Sequence, residues 1–258
     1  MYYVIGYRKK VVKSNLLLVF PEKSAQERRE IAKGFYKHLC DIIVETVKNL
    51  TISEKEITKR FHFENLEVLD SLYAKDKSVL LMCGHYASWE WAGILTKQMP
   101  YEGYGVYKKL DNPYFDRLVK KIRGRYGGDI VTNKRIVSEL FRRNKEGIKT
   151  LTLILSDQTP KMGAFKQRDS FMDINVPVFT GPEELAKRLD FACVYLKVQK
   201  IKRGYYSASF VILAENATEF NDFQITRKFL DEIELQISHA PQYYLWSHKR
   251  WKFRETEG

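Results

Sequence analysis

"SVLLMCGHYASWEWAGIL", Ser78 to Leu95, opens as an unbroken apolar run and then sets Gly84-His85 ahead of Ser88-Trp89-Glu90-Trp91. Val79 to Cys83 has the length and composition of a strand buried on both faces, as in the parallel sheet of an α/β protein. From Ser88 to about Lys97 the chain reads as a helix that Ser88 caps. His85 and Glu90 thus fall five residues apart where a buried strand gives way to a helix. Five helical residues turn through about 140°, so the two meet only if His85 lies in the loop and Glu90 in the first helical turn. Gly84 admits the sharp turn this needs. Glu90 then accepts from one imidazole nitrogen and leaves the other free as a general base. The carboxyl end of a strand is where open α/β sheets hold their ligands.

Outward from this stretch, strand and helix signals alternate. Ser24 with Glu27 forms a capping box at the start of a helix reaching Leu50, with Ile31, Phe35, Leu39, Ile42 and Val47 at helical spacing. Phe61–Phe63, Tyr104–Tyr107, Ile130–Val131, Leu151–Leu155, Val176–Phe179, Ala192–Lys200 and Tyr205–Ala214 read as strands. Helices are predicted over 113–125, 136–144, 181–189 and 223–237. The expected fold is α/β: a single domain over residues 1–258 with a central mixed sheet flanked by helices.

The chain has 44 Lys and Arg against 32 Asp and Glu, a net charge of +12, which favours an anionic partner. Residues 101–150 concentrate the excess, with 13 Lys/Arg against 6 Asp/Glu. Sixteen Tyr and four Trp suit a surface that is apolar at one end and wet at the other. "MYYVIGYRKK" joins an aromatic tip to a basic cluster, the look of a membrane edge, and equally that of a solvated basic helix. Cys40, Cys83 and Cys193 are widely spaced and read as free thiols in a reducing compartment. The histidines show no metal-ligand spacing and no H-E-x-x-H occurs, so no metal is expected. No nucleic-acid reading motif is present, although "WSHKRWKFR" has a basic-aromatic composition.

Further segments complete a pattern. "GHYASWEW" is followed in order by "GVYKKLDNPYFDRLVKKIRGRYG", "ILSDQTP", "VPVFTGPEELAKRL" and "YLWSHKRWKFR". Together these resemble the boxes of the late acyltransferases of lipid A biosynthesis, the lauroyl and myristoyl transferases, within the wider H-x4-D/E glycerolipid acyltransferase superfamily. The resemblance covers nearly the whole chain. Two departures stand out: Lys108 occupies a position where the family often has Arg, and the family's membrane-anchoring helix is missing ahead of "YYVIGYR", so residues 1–20 read as the remnant of a membrane-proximal segment. "FPEK", Phe20 to Lys23, imitates a box of the glycerol-phosphate acyltransferases but precedes the histidine, and is read as a helix entry.

The resemblance implies transfer of a fatty acyl chain from acyl carrier protein, or from acyl-CoA as co-substrate, to a hydroxyl of a phosphorylated glycolipid, with no other cofactor. It places the chain at an anionic membrane surface, the cytoplasmic face of the inner membrane, with no nucleic acid as partner. His85 is the expected general base, Glu90 its orienting carboxylate. Asp157 polarises a hydroxyl or anchors a cation, or else shapes an Asp-Gln-Thr-Pro turn with Gln158. Lys108, Arg123 and Arg125 are the expected phosphate contacts, Arg being the better fork. Arg250 and Lys252 either pack or bind phosphate. Cys83, inside a strand, is not expected to be a nucleophile. A different glycolipid or phospholipid acceptor, or a non-enzymatic anionic-surface binder, are the alternatives.

Overall fold

Val79–Cys83 is strand β2, every residue buried, and it lies at the middle of a seven-stranded sheet. The structure is a computed structural model describing residues 6–255, so the aromatic tip with Tyr2 and Tyr3 lies outside the described residues. In chain order the elements begin α1 (Lys9–Val19), α2 (Ala25–Lys48), α3 (Glu54–Arg60), β1 (Phe61–Phe63), α4 (Glu67–Ala74) and β2. A 3-10 helix (Ala92–Lys97), β3 (Glu102–Tyr107), α5 (Pro113–Arg123), β4 (Asp129–Thr132), α6 (Ile136–Lys145) and β5 (Thr150–Leu155) follow. Then come β6 (Arg168–Phe171), β7 (Ile174–Pro177), α7 (Gly181–Leu189), β8 (Ala192–Lys202), β9 (Tyr205–Ala214) and α8 (Gln224–His239).

The sheet order is β1-β9-β8-β2-β5-β3-β4. Every pairing is parallel except the β8–β9 hairpin, which makes the sheet mixed as expected. The capping box at Ser24–Glu27 is present in full and starts α2. The strand predicted over 176–179 is instead the β6–β7 hairpin ending at Pro177, paired with itself and outside the main sheet.

The register of β2 on β5 positions the site. Val79 to Cys83 stand opposite Leu151 to Leu155, and Ser156 N–H donates to the Cys83 carbonyl at 3.0 Å. The residues two beyond each strand end, His85 and Asp157, therefore come out abreast.

Candidate active site

Asp157 is 1% exposed and accepts twice from His85. Its Oδ1 lies 2.7 Å from His85 Nδ1, and its Oδ2 takes the His85 backbone N–H at 3.0 Å. Burial alone would raise the Asp157 carboxyl. The adjacent imidazole and the His85 N–H groups outweigh burial, and the net shift is downward. A charged, buried carboxylate on Nδ1 fixes the tautomer and leaves the Nε2 lone pair outward. The Gln158 amide nitrogen lies 3.1 Å from Nε2 and occupies it as a donor.

The loop carrying His85 is held from several sides. A Cβ on Gly84 would fall 1.9 Å from Ile233 Cδ1 of α8, so glycine is required here by close approach rather than by backbone angle. Ala87 is wholly buried with φ +51°, a strained conformation for alanine. The C-terminal segment grips the loop: Ala87 N–H donates to Tyr243 O at 3.1 Å and Leu245 N–H to His85 O at 3.1 Å. Ser88 caps no helix; its buried hydroxyl donates to Glu45 at 3.3 Å, and ordered helix begins only at Ala92. The helix expected from Ser88 is thereby shortened to a 3-10 segment.

Glu90 does not orient His85. Its carboxylate takes Arg123 Nε at 3.0 Å, Arg123 Nη2 at 2.5 Å and Trp89 Nε1 at 3.0 Å. Trp89 joins the two groups, with its ring edge-on to His85 at 5.0 Å. The expected His85–Glu90 pair is therefore replaced by His85–Asp157, with Glu90 paired to arginine. Arg123 places Nε and Nη2 on Glu90, and Arg125 donates to the Asn49 carbonyl at 2.6 Å, so both guanidiniums are engaged within the protein. Lys108 is exposed just beyond β3. The structure thus brings His85, Asp157 and Gln158 together, brings Glu90 and Arg123 together beside them, and leaves Lys108 and Arg125 apart.

Glu90, Arg123 and Trp89 are among the residues lining an apolar cavity of about 70 Å³. Leu81, Val106 and Ile130 line its walls, together with Leu151, Leu153 and Leu155 along β5. From Leu155 to Leu151 a strand spans about 13 Å. Gln158 lines an open cleft of about 380 Å³ together with Arg8, Leu39, Ile43 and His248. In the sequence His248 has no metal-ligand spacing and stands within "YLWSHKRWKFR" with no role of its own. In the fold its ring is largely buried near the His85–Asp157 pair, and burial pushes its pKa down to about 4. Cys83 is fully buried, and burial pushes its thiol far up, unlike a nucleophile. Arg250 packs: it is 1% exposed, donates to Pro177 O at 3.0 Å and lies over the Phe171 ring. Among the described residues no group of three or more His, Cys, Asp or Glu is placed to hold a metal ion.

The family model described as bacterial lipid A biosynthesis acyltransferase matches residues 1–253. The chain is 26% identical to a lipid A biosynthesis lauroyltransferase of Escherichia coli (strain K12), over 96% of this chain and 80% of the relative. A lipid A biosynthesis palmitoleoyltransferase of the same strain is 25% identical, over 96% and 79%. A lipid A biosynthesis myristoyltransferase, also of that strain, is 19% identical, over 93% and 74%.

Proposed function

Because the chain belongs to the bacterial lipid A biosynthesis acyltransferase family, and so is a transferase, we propose that it moves a fatty acyl chain from a thioester of acyl carrier protein to a hydroxyl of a lipid A precursor, with His85 as general base and Asp157 as the carboxylate that orients it. The observation carrying this reading is the His85 ring. One nitrogen is fixed by a buried carboxylate, the other meets only the Gln158 amide, and Trp89, packed edge-on against the ring, lines an apolar cavity.

In this reading the acyl tail lies in the cavity past Glu90 and Arg123, with its thioester carbonyl near Trp89. The acceptor hydroxyl enters from the cleft holding His248 and displaces the Gln158 amide from Nε2. Its proton passes to Nε2 as the oxygen attacks the carbonyl. The new C–O bond forms, the C–S bond breaks, and the proton goes on to the leaving thiolate. The acceptor attacks directly, so no acyl-enzyme is formed, in keeping with a buried Cys83. The Glu90–Arg123 pair shapes the cavity mouth and holds Trp89 by its indole N–H, which in turn packs on the base. We place this work at the cytoplasmic face of the inner membrane. Among the described residues no helix is long and apolar enough to cross a membrane.

Mass spectrometry of lipid A from cells with and without the gene tests this reading. Loss of one secondary acyl chain on deletion, restored by the wild-type gene and not by His85→Ala, is expected. An unchanged lipid A profile overturns it.

A further inference from the structure

Among the helices that present large apolar side chains to solvent, α5 and α2 each also carry a residue that reaches the site around His85. On α5 these are Tyr114, 75% exposed, and Phe115, 60% exposed, with Leu118 one turn on. On α2 they are Ile43, Val44 and Val47. The aromatics of α5 do not sit on a frayed end. Asn112 caps the helix by accepting from the N–H groups of Tyr114 at 2.9 Å and Phe115 at 3.2 Å. The buried Asp116 accepts from Leu110 N–H at 3.0 Å and Tyr107 hydroxyl at 3.3 Å, tying the first turn to the end of β3. A well-anchored turn thus holds two aromatic rings in water, where each exposes area that burial would favour.

Both helices reach the site. Arg123, at the far end of α5, bonds Glu90 at the cavity mouth, while Ile43 lines the cleft that contains Gln158. Asn49, just past α2, donates to the Ile122 carbonyl at 3.2 Å and joins the two helices at their C-terminal ends. The charge around the aromatics is positive. Residues 108–121 hold five Lys/Arg and two Asp, one of which is the buried Asp116. Lys108, Lys109 and Lys121 are exposed and make no ion pair among the described residues. Aromatic rings beside unpaired cations match the interfacial zone of an anionic bilayer.

We propose that this face docks on an anionic membrane surface. Tyr114, Phe115 and the α2 residues Val44 and Val47 seat in the interfacial zone. Lys108, Lys109 and Lys121 meet lipid headgroups. Docked this way, the cavity mouth and the acceptor cleft open toward the lipid that holds the acceptor. That consequence rests on the acyltransferase reading; the binding itself does not, and is measured without substrate.

The test is co-sedimentation of the 258-residue chain with vesicles of phosphatidylcholine, with and without phosphatidylglycerol. Binding to the phosphatidylglycerol vesicles, weakened by salt, is expected. Tyr114→Ser with Phe115→Ser should weaken it about tenfold or more, with an unchanged far-UV circular dichroism spectrum. Lys108→Gln with Lys109→Gln should weaken it less and flatten the salt dependence. Absence of vesicle binding overturns the proposal, as does equal binding by the folded aromatic variant. It is also overturned if that variant keeps vesicle binding but loses binding to acyl carrier protein, or dissociates a vesicle-free dimer; the face would then belong to a protein partner. Loss of vesicle binding with acyl transfer to detergent-dispersed acceptor retained separates this surface from the catalytic reading.

Discussion

Two carboxylates stand beside His85, and they hold opposite kinds of partner. Asp157 is buried, takes an imidazole N–H and a backbone N–H, and forms no ion pair with a lysine or arginine among the described residues. Glu90 lies at a cavity mouth and is forked by a guanidinium. Sequence spacing favoured Glu90 as the histidine's partner because it is near in the chain. The fold chose Asp157, 72 residues away, because two parallel strands bring their ends together in register. Proximity in sequence proved a poorer guide than proximity across a ladder. With His85 as the proposed base, the same difference predicts distinct kinetic signatures, since a carboxylate on the base would govern proton transfer and one on an arginine would govern shape.

The largest effect is expected from the histidine pair. His85→Ala should lower kcat by about 10²–10⁴-fold in an acyl-transfer assay. Asp157→Asn should approach it, because an amide in place of the carboxylate no longer fixes the tautomer with Nε2 free. Circular dichroism must show both variants folded. If Asp157→Asn keeps near wild-type turnover while Glu90→Gln loses it, the assignment of the two carboxylates is reversed.

Glu90→Gln should cost less, about tenfold in kcat/KM, mostly through KM, because it loosens the mouth without touching the base. Arg123→Lys should resemble it, since a lysine replaces the two-pronged contact with a single point charge. The double variant should be no worse than the poorer single one, as expected for partners in one pair. Strict additivity would mean that Glu90 and Arg123 act separately.

A third experiment addresses the cavity. A Cβ on Gly105 would lie 2.9 Å from Ile130 Cδ1, one of the cavity walls. Gly105→Val should crowd this wall and shift preference toward shorter acyl chains by several-fold, read as the ratio of kcat/KM for two chain lengths. An unchanged ratio places the acyl tail elsewhere.

The smallest effect concerns pH and stability. His38 is buried between the Ala87 carbonyl and the Lys200 ammonium, and burial pushes its pKa down to about 4, as it does for His248. The unfolded chain takes up these protons below about pH 6.5, while the folded chain does not until about pH 4. Stability should therefore fall as pH drops through that window, by about 1–3 kcal/mol in urea titrations. The loss from Asp157, whose pKa is lowered, comes only at more acid pH. His38→Gln should flatten the slope; a steeper one would contradict a neutral His38.

Much of the fold was legible because "VLLMC" and "LTLIL" lie at the sheet's centre, where parallel strands are covered on both faces and read as apolar runs. The capping box at Ser24 was legible because it is local chemistry. His85 and Asp157 could each be placed at a strand end. Their partnership could not, because nothing in either segment states that β2 and β5 are neighbours. Ser88 misled for a related reason: its hydroxyl is claimed by Glu45, 43 residues back, and no local pattern shows that. "WSHKRWKFR" looked like a basic surface, yet Trp246, Arg250 and Trp251 are all buried beneath it.

The Gln158 amide on His85 Nε2 bears on waste as well as turnover. A thioester waiting beside an unguarded base would be open to attack by water. With the amide in place, the nitrogen that would activate a water is already occupied. Under the proposed mechanism the acceptor would compete with a side chain for the base, and a lipid hydroxyl held in the cleft by its own headgroup would compete better than a single water. Under the proposed mechanism, one glutamine would set how often an activated acyl group reaches its sugar and how often it is lost to hydrolysis.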